Sequence, residues 1–185
     1  MKIKNRILEE TTELFIKDGV GFNLDELASN LSISKKTIYK YFKNKEDLLI
    51  NAIDKLFDDI SVEEQKIYDD PYLSDVEKLK KIVTALPANS KLVEVTDIVE
   101  LTQKYPNVAA RMDFRLSSGW DLTLKLIDDI DKKGKLKKFN LEIFKLMVTG
   151  SIEKILSSNE LKGQYDIAQN EMMDILLGGI IEQNI

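Results

Sequence analysis

Residues 24–49 read LDELASNLSISKKTIYKYFKNKEDLL, and this stretch decides the fold of the N-terminal part of the chain. Leu27, Leu31 and Ile38 lie at helical spacing, interrupted by residues 32–34. The small side chain of Ala28 stands where two helices would cross. Two short helices joined by a turn of three or four residues form a helix-turn-helix, and this spacing predicts one.

Polar side chains mark where these two helices begin. Asn23 is predicted to cap the first helix, and Glu26 three residues later completes the pattern of a capping box. Ser34 is predicted to cap the second helix, which would run from Lys35 to about Phe42. The turn between them is often glycine but holds Ser32 here, so a left-handed backbone at that residue would cost about 1–2 kcal/mol.

The second helix carries a motif, Thr-x-Tyr-x-Tyr-Phe at residues 37–42, which is followed by Lys-Glu-x-Leu at residues 45–48. With this motif the chain resembles the TetR family (tetracycline repressor-like) of transcriptional regulators over roughly residues 3–50. The resemblance implies an all-α protein with a DNA-binding domain over residues 1–45. It also implies a helical domain over residues 46–185 that binds an effector and forms a homodimer.

Charge agrees with a nucleic-acid partner at this end of the chain. The whole chain has a net charge of −5, yet five lysines and no carboxylates occur between Leu27 and Lys45. A local basic patch on an acidic protein can bind a polyanion. Charge alone also fits a solvated lysine-rich face.

The places of residues on the second helix, together with the family resemblance, predict which of them contact DNA. Lys40 is predicted to read a base edge in the major groove, whereas Lys45 resembles the phosphate clamp of the family. The full set of predicted DNA-binding residues is Asn23, Ser34, Lys35, Lys36, Thr37, Tyr39, Lys40, Tyr41 and Lys45.

The remaining sequence predicts further helices and no strands. The apolar spacing favours helices over residues 45–68, 74–86, 91–104, 106–130, 140–156 and 166–181. The last of these is apolar nearly all round, so it calls for cover on two sides. The family resemblance places the dimer interface on the last two helices, and the predicted interface residues are Val148, Ser151, Ile152, Ile155, Met172, Leu176 and Gly179. A buried helix in a monomer is the alternative.

A small-molecule effector is implied by the resemblance, without its identity. The apolar residues predicted to line its pocket are Ile98, Met112, Leu116, Trp120, Phe144 and Met147. Aromatic and methionine side chains at helical spacing also fit an ordinary core.

Composition argues against several other functions. The chain has no cysteine and no histidine, which removes thiol nucleophiles, Ser-His-Asp triads and the usual zinc ligands. We therefore expect no enzymatic activity, no cofactor and no metal site. No secretory signal or membrane-spanning segment is evident, so a cytoplasmic location without a membrane partner is expected. The predicted function is a ligand-responsive repressor that binds palindromic double-stranded DNA as a homodimer; an activator, or a dimeric interaction protein without DNA readout, is the alternative.

Overall fold

The computed structural model describes residues 3–85, 103–156, 158, 160–161 and 163–182. Within these ranges the fold is all-α, as predicted, and extended pairing is limited to one bridge between Leu136 and Ile181. The elements are α1 (Ile3–Asp18), a 3-10 turn (Gly19–Gly21), α2 (Leu24–Asn30), α3 (Lys35–Tyr39), α4 (Lys45–Asp69), α5 (Asp75–Val83), α6 (Pro106–Ser118), α7 (Asp121–Lys132), α8 (Leu141–Leu156) and α9 (Tyr165–Ile180).

The single helix predicted over residues 106–130 is wrong, because the chain breaks between α6 and α7. Serines at 117 and 118 and a glycine at 119 are weak helix formers, and Trp120 takes φ −103° and ψ 0° before α7 begins. The helix predicted over residues 91–104 lies outside the described residues apart from its last two positions. Helices α3 and α5 are shorter than predicted.

The described residues form two compact units. The first consists of residues 3–59 and 103–115, and the second lies within residues 60–85 and 116–182. The two units are defined by how compactly their residues pack. The boundary predicted after residue 45 separates DNA binding from effector binding instead, and it stays a prediction. Helix α4 contributes residues to both units.

The core of the first unit joins α1, α2, α3, the first half of α4 and α6. Its most deeply buried side chains include Ile7, Leu14, Leu27, Ile38, Phe42, Leu48, Leu49 and Val108. The hydroxyl of Thr11, which is also buried, donates to the carbonyl of Ile7 at 2.7 Å. The helix-turn-helix is therefore supported on the side away from its exposed face.

The second unit packs α5, α7, α8 and α9 around a separate core. Its most deeply buried side chains include Leu79, Ile82, Leu126, Ile130, Phe144, Val148, Met173 and Leu177. The loop between α7 and α8 is tied to the end of α9, since Lys137 N donates to the Ile180 carbonyl at 2.8 Å and Glu182 N donates to the Lys135 carbonyl at 2.9 Å. Among the described residues, no helix is long and apolar enough to cross a membrane.

Candidate nucleic-acid interface

The turn between α2 and α3 adopts the left-handed backbone that the helix-turn-helix spacing requires. Ser32 has φ 53°, and among the described non-glycine residues it is alone in having a positive φ. Its amide donates to the Ser29 carbonyl, and the amide of Ile33 donates to the Ala28 carbonyl, both at 2.9 Å. These bonds close α2, and they hold a serine in a conformation that glycine adopts at lower cost.

Both predicted N-caps of the two helices are confirmed. The Asn23 side chain accepts from the amide of Asp25 at 2.8 Å, and Ser34 Oγ accepts from the amide of Thr37 at 3.1 Å. The capping box predicted at Asn23 and Glu26 is wrong. Glu26 instead forms an ion pair with Lys17 at 3.1 Å, because α1 brings that lysine close to α2.

Helix α3 has one buried face and one exposed face. Ile38 is buried, as is Phe42 just beyond the helix, and both pack into the core of the first unit. The opposite side leaves Lys36, Tyr39 and Lys40 exposed, with Tyr39 at 51%. Lys36 and Lys40 are four residues apart and therefore neighbours on the helix surface. Neither has an ion-pair partner within the part of the chain that the structure describes.

Three other predicted DNA-contacting side chains have different surroundings. Lys35 Nζ lies 2.8 Å from a carboxylate oxygen of Asp25, and this hydrogen bond raises the pKa of Lys35 above its usual range. Thr37 is half-buried, and its hydroxyl lies 3.0 Å from that of Ser34. Tyr41 stands at the surface and is 43% exposed.

Lys45 has a structural role that the sequence does not reveal. Its ammonium donates to the carbonyls of Val20 and Phe22 at 2.7 and 2.5 Å, and it lies 4.0 Å from the centre of the Phe22 ring. These contacts fix the loop before α2 to the start of α4. The family resemblance predicts a phosphate clamp at Lys45, whereas in the structure this half-buried residue donates two hydrogen bonds to the protein backbone.

Helix α6 is attached to the first half of α4 by polar contacts within the first unit. Arg111 Nε donates to Asp54 at 2.7 Å, and Arg115 lies 2.9 Å from Asp58 and 3.5 Å from Asp54. The hydrogen bond from Arg111 to Asp54 raises the pKa of Arg111 further, so this guanidinium stays charged. Sequence analysis missed these contacts because they join residues 57 or more positions apart.

The residues predicted for an effector pocket differ in burial and surroundings within the described part of the chain. Trp120 and Phe144 are buried together, edge to face, with ring centres 6.4 Å apart. Met112 instead lines a small apolar cavity of about 40 Å³ in the first unit. Leu116 is half-buried and Met147 is exposed. Ile98 lies outside the described residues.

The predicted interface residues on α8 and α9 also divide. Two are buried in the core of the second unit, namely Val148 and Ile155, so they are not available to a partner. Ser151, Ile152, Met172 and Leu176 are half-buried, and Gly179 is exposed.

Other apolar side chains of α8 and α9 are exposed instead. Those that the sequence analysis missed are Ile143, Leu146, Ile167 and Ile175, with Leu146 at 66% and Ile175 at 76% exposure. The signal is present in the sequence, since Leu146 lies off the helix face that carries Phe144 and Val148.

A second basic cluster was also missed. Residues 132–138, between the end of α7 and the start of α8, read KKGKLKK, and we call this segment the basic loop. All five of its lysines are exposed, whereas Leu136 is buried. Lys132 pairs with Asp128, and Lys133 pairs with Asp75 at 2.6 Å.

The two capped helices, their left-handed turn and the basic exposed face of α3 define a DNA-binding protein of the helix-turn-helix class. Residues 7–52 match the family model described as bacterial regulatory proteins, tetR family. This match assigns residues 7–52 to the DNA-binding region of the TetR family of transcriptional regulators.

Two relatives are similar in sequence to this chain over nearly its whole length. One is the uncharacterized HTH-type transcriptional regulator YvaF of Bacillus subtilis (strain 168), which is 26% identical to this chain over 178 residues. The match covers 95% of this chain and 94% of that protein. This chain is also 22% identical over 184 residues to the fatty acid metabolism regulator protein of the same organism, covering 95% and 94%.

A solved structure has the same fold. It is the transcriptional regulator FadR from Bacillus subtilis in complex with stearoyl-CoA, with a TM-score of 0.72 and 21% identity, covering 94% of this chain and 97% of that chain.

Proposed function

We propose that the protein is a homodimeric transcriptional repressor that binds a palindromic or near-palindromic operator and releases it when a small amphipathic effector binds. The exposed face of α3 is the observation that carries this proposal. Lys36, Tyr39 and Lys40 project from a helix whose other side is buried, so the helix can enter a major groove without losing its packing.

Within this surface, different residues serve different purposes. Lys36 and Lys40 have donors for guanine O6 and N7 or for phosphate, and Tyr39 can contact phosphate through its hydroxyl. Lys35 is partly neutralised by Asp25, so binding phosphate there would require exchange of one anionic partner for another. Asn23, Ser34, Thr37 and Tyr41 flank this face, and we propose them as phosphate contacts.

The dimer is supported by the exposed apolar side chains of α8 and α9. Ile143, Leu146, Met147 and Ile175 are each about half exposed or more, and Gly150 and Gly179 are exposed on the same two helices. An added Cβ at either glycine would meet no atom within 4 Å, so a partner helix can approach closely there. Burying this face in a second copy would remove it from water.

The effector class is proposed from the relatives. One relative is named for fatty acid metabolism, and a solved structure of this fold holds stearoyl-CoA. We therefore propose a fatty acyl thioester. Its binding to the second unit would act on α4, since that helix contributes residues to both units. The shift cannot exceed the difference in ligand affinity between the DNA-binding state and the released state.

Selection of bound duplexes from a random pool, followed by a salt titration, tests this function. If the proposal is correct, the selection should yield a two-fold symmetric site whose half-sites lie about 34–36 Å apart or a multiple of that distance. Unrelated, non-symmetric sequences would overturn the palindrome. Complete lack of duplex binding would favour a dimeric interaction protein without DNA readout. A reporter gene placed behind the recovered site distinguishes repression from activation.

A further inference from the structure

The basic loop (residues 132–138) is an unusual feature of an acidic chain. Lys135, Lys137 and Lys138 have no ion-pair partner in the ranges that the structure describes. The bridge joins Leu136, which is buried, to Ile181 just after α9, and the flanking Lys135 and Lys137 are exposed. Successive side chains of an extended segment point to opposite sides, so we infer that the two lysines share the side away from Leu136. Their ammonium groups can therefore reach one anionic group together.

An open groove of about 430 Å³ lies beside this loop in the second unit. Its lining residues are Val76, Glu77, Lys80, Asp174, Leu177, Gly178 and Ile181. Two contacts connect the groove to the basic loop. Ile181 forms the bridge with Leu136, and Lys133 pairs with Asp75, the residue before Val76.

The groove and the loop differ in polarity. Val76, Leu177, Gly178 and Ile181 offer an apolar surface, and Lys80 is already paired with Asp174 at 2.6 Å. Lys135, Lys137 and Lys138 of the loop, together with Lys81 of α5, are exposed lysines near the groove without an ion-pair partner among the described residues. An occupant with an apolar chain and a separate phosphate group matches this arrangement, and the volume lies in the range of about 300–1,000 Å³ typical of small-molecule sites.

We propose that the groove and the basic loop form a binding site for a long-chain acyl-CoA, with the acyl chain along α5 and α9 and the phosphates at Lys135, Lys137 and Lys138. The ligand class is taken from the proposed function, and the new element is the site at which the ligand binds. The carboxylates that border the loop and the groove disfavour an extended polyanion such as duplex DNA or an anionic membrane. They are Asp75, Glu77, Asp128, Asp131 and Asp174.

Equilibrium titration of the full chain with stearoyl-CoA, stearate and 1-stearoyl-lysophosphatidate tests the site. Replacing two loop lysines, K135Q/K137Q, should raise the dissociation constant for stearoyl-CoA about tenfold and leave that for stearate unchanged. The control K66Q/K125Q removes two exposed lysines of the same unit that do not line the groove, and it should change neither dissociation constant. Equal effects of the two pairs would overturn the role of the loop.

A second variant tests the groove. A Cβ added at Gly178 meets no atom within 4 Å, so G178F should fill the groove without disturbing the fold. It should abolish binding of stearoyl-CoA, whereas E171F, at an exposed position two turns earlier on α9, should not. Unchanged affinity in G178F would overturn the site, whereas lysophosphatidate binding as tightly as stearoyl-CoA would overturn acyl-CoA as its ligand. A wild-type chain that binds its operator but not stearoyl-CoA would refute this inference and leave the DNA-binding function standing.

Discussion

The exposed side chains of α3 include Lys36 and Tyr39, with Lys40 just beyond its end, whereas those of α8 and α9 include the apolar Ile143, Leu146 and Ile175. The first surface is polar and can remain in water until DNA arrives. The second is apolar, and its exposure to water is unfavourable as long as nothing covers it. The hydrophobic pattern of a helix therefore marks what must be covered, and it does not tell whether the same chain or a second copy covers it.

The largest effect is expected from Ile175→Glu. The side chain is 76% exposed in one chain, so the substitution leaves the core intact, but in a dimer it would place an unpaired carboxylate in an apolar interface at a cost of several kcal/mol. Light scattering should give about half the wild-type mass with an unchanged unfolding temperature. Asn170→Glu, at an exposed polar position on α9, is the control. An unchanged mass in Ile175→Glu would place the interface elsewhere.

Lys45→Ala should lower the free energy of unfolding by about 2–3 kcal/mol, because it leaves the carbonyls of Val20 and Phe22 without their ammonium partner. Urea unfolding measures this decrease. Lys43→Ala, at an exposed position, should change the free energy of unfolding by less than about 0.5 kcal/mol. Unchanged stability in Lys45→Ala, with a salt slope reduced by about 0.9 for each phosphate that is no longer neutralised, would restore the clamp predicted from the sequence.

Lys40→Ala should change the preferred base at one position of each half-site, with discrimination reduced by about 1–3 kcal/mol. Binding selections on the variant and the wild type give the comparison. Lys43→Ala serves again as the control and should weaken binding to all sequences equally if it has any effect. A uniform decrease of affinity in Lys40→Ala would show that this lysine contacts phosphate. Other residues of α3 would then have to read the bases.

The smallest effect concerns the turn of the helix-turn-helix. Ser32→Gly should raise the free energy of unfolding by about 1 kcal/mol, since glycine adopts φ 53° with less strain. Thermal unfolding detects this gain. Ser29→Gly lies inside α2 and should instead lower stability by about 0.5 kcal/mol. A lower stability in Ser32→Gly would mean that the serine side chain contributes more than its backbone conformation costs.

The helix-turn-helix was predictable from the sequence because its determinants are local. Ala28, Ser32 and Ile38 act within about ten residues of one another, so their spacing alone indicates the geometry. The break before α7 was not predictable from apolar spacing, because Leu116 and Trp120 continue the helical period across Gly119.

The limits at the candidate site have a similar cause. The family resemblance assigns Lys45 to phosphate. Its carbonyl partners lie 23 and 25 residues earlier in the chain, so its structural role leaves no local signal in the sequence. It assigns Val148 to the dimer interface, yet the core of the second unit buries that side chain. Correcting either assignment requires knowledge of tertiary partners, which a helical pattern does not contain.

The bridge between Leu136 and Ile181 has a consequence for the order of folding. It joins two residues that are far apart in the chain, so we expect the basic loop to gain its extended shape only when α9 closes that long segment. A chain that ends before Ile180 would keep α7 and α8 in sequence but would lack the carbonyl that Lys137 needs. The backbone amides of Lys137 and Glu182 should therefore exchange with deuterium at the same rate, as one cooperative opening.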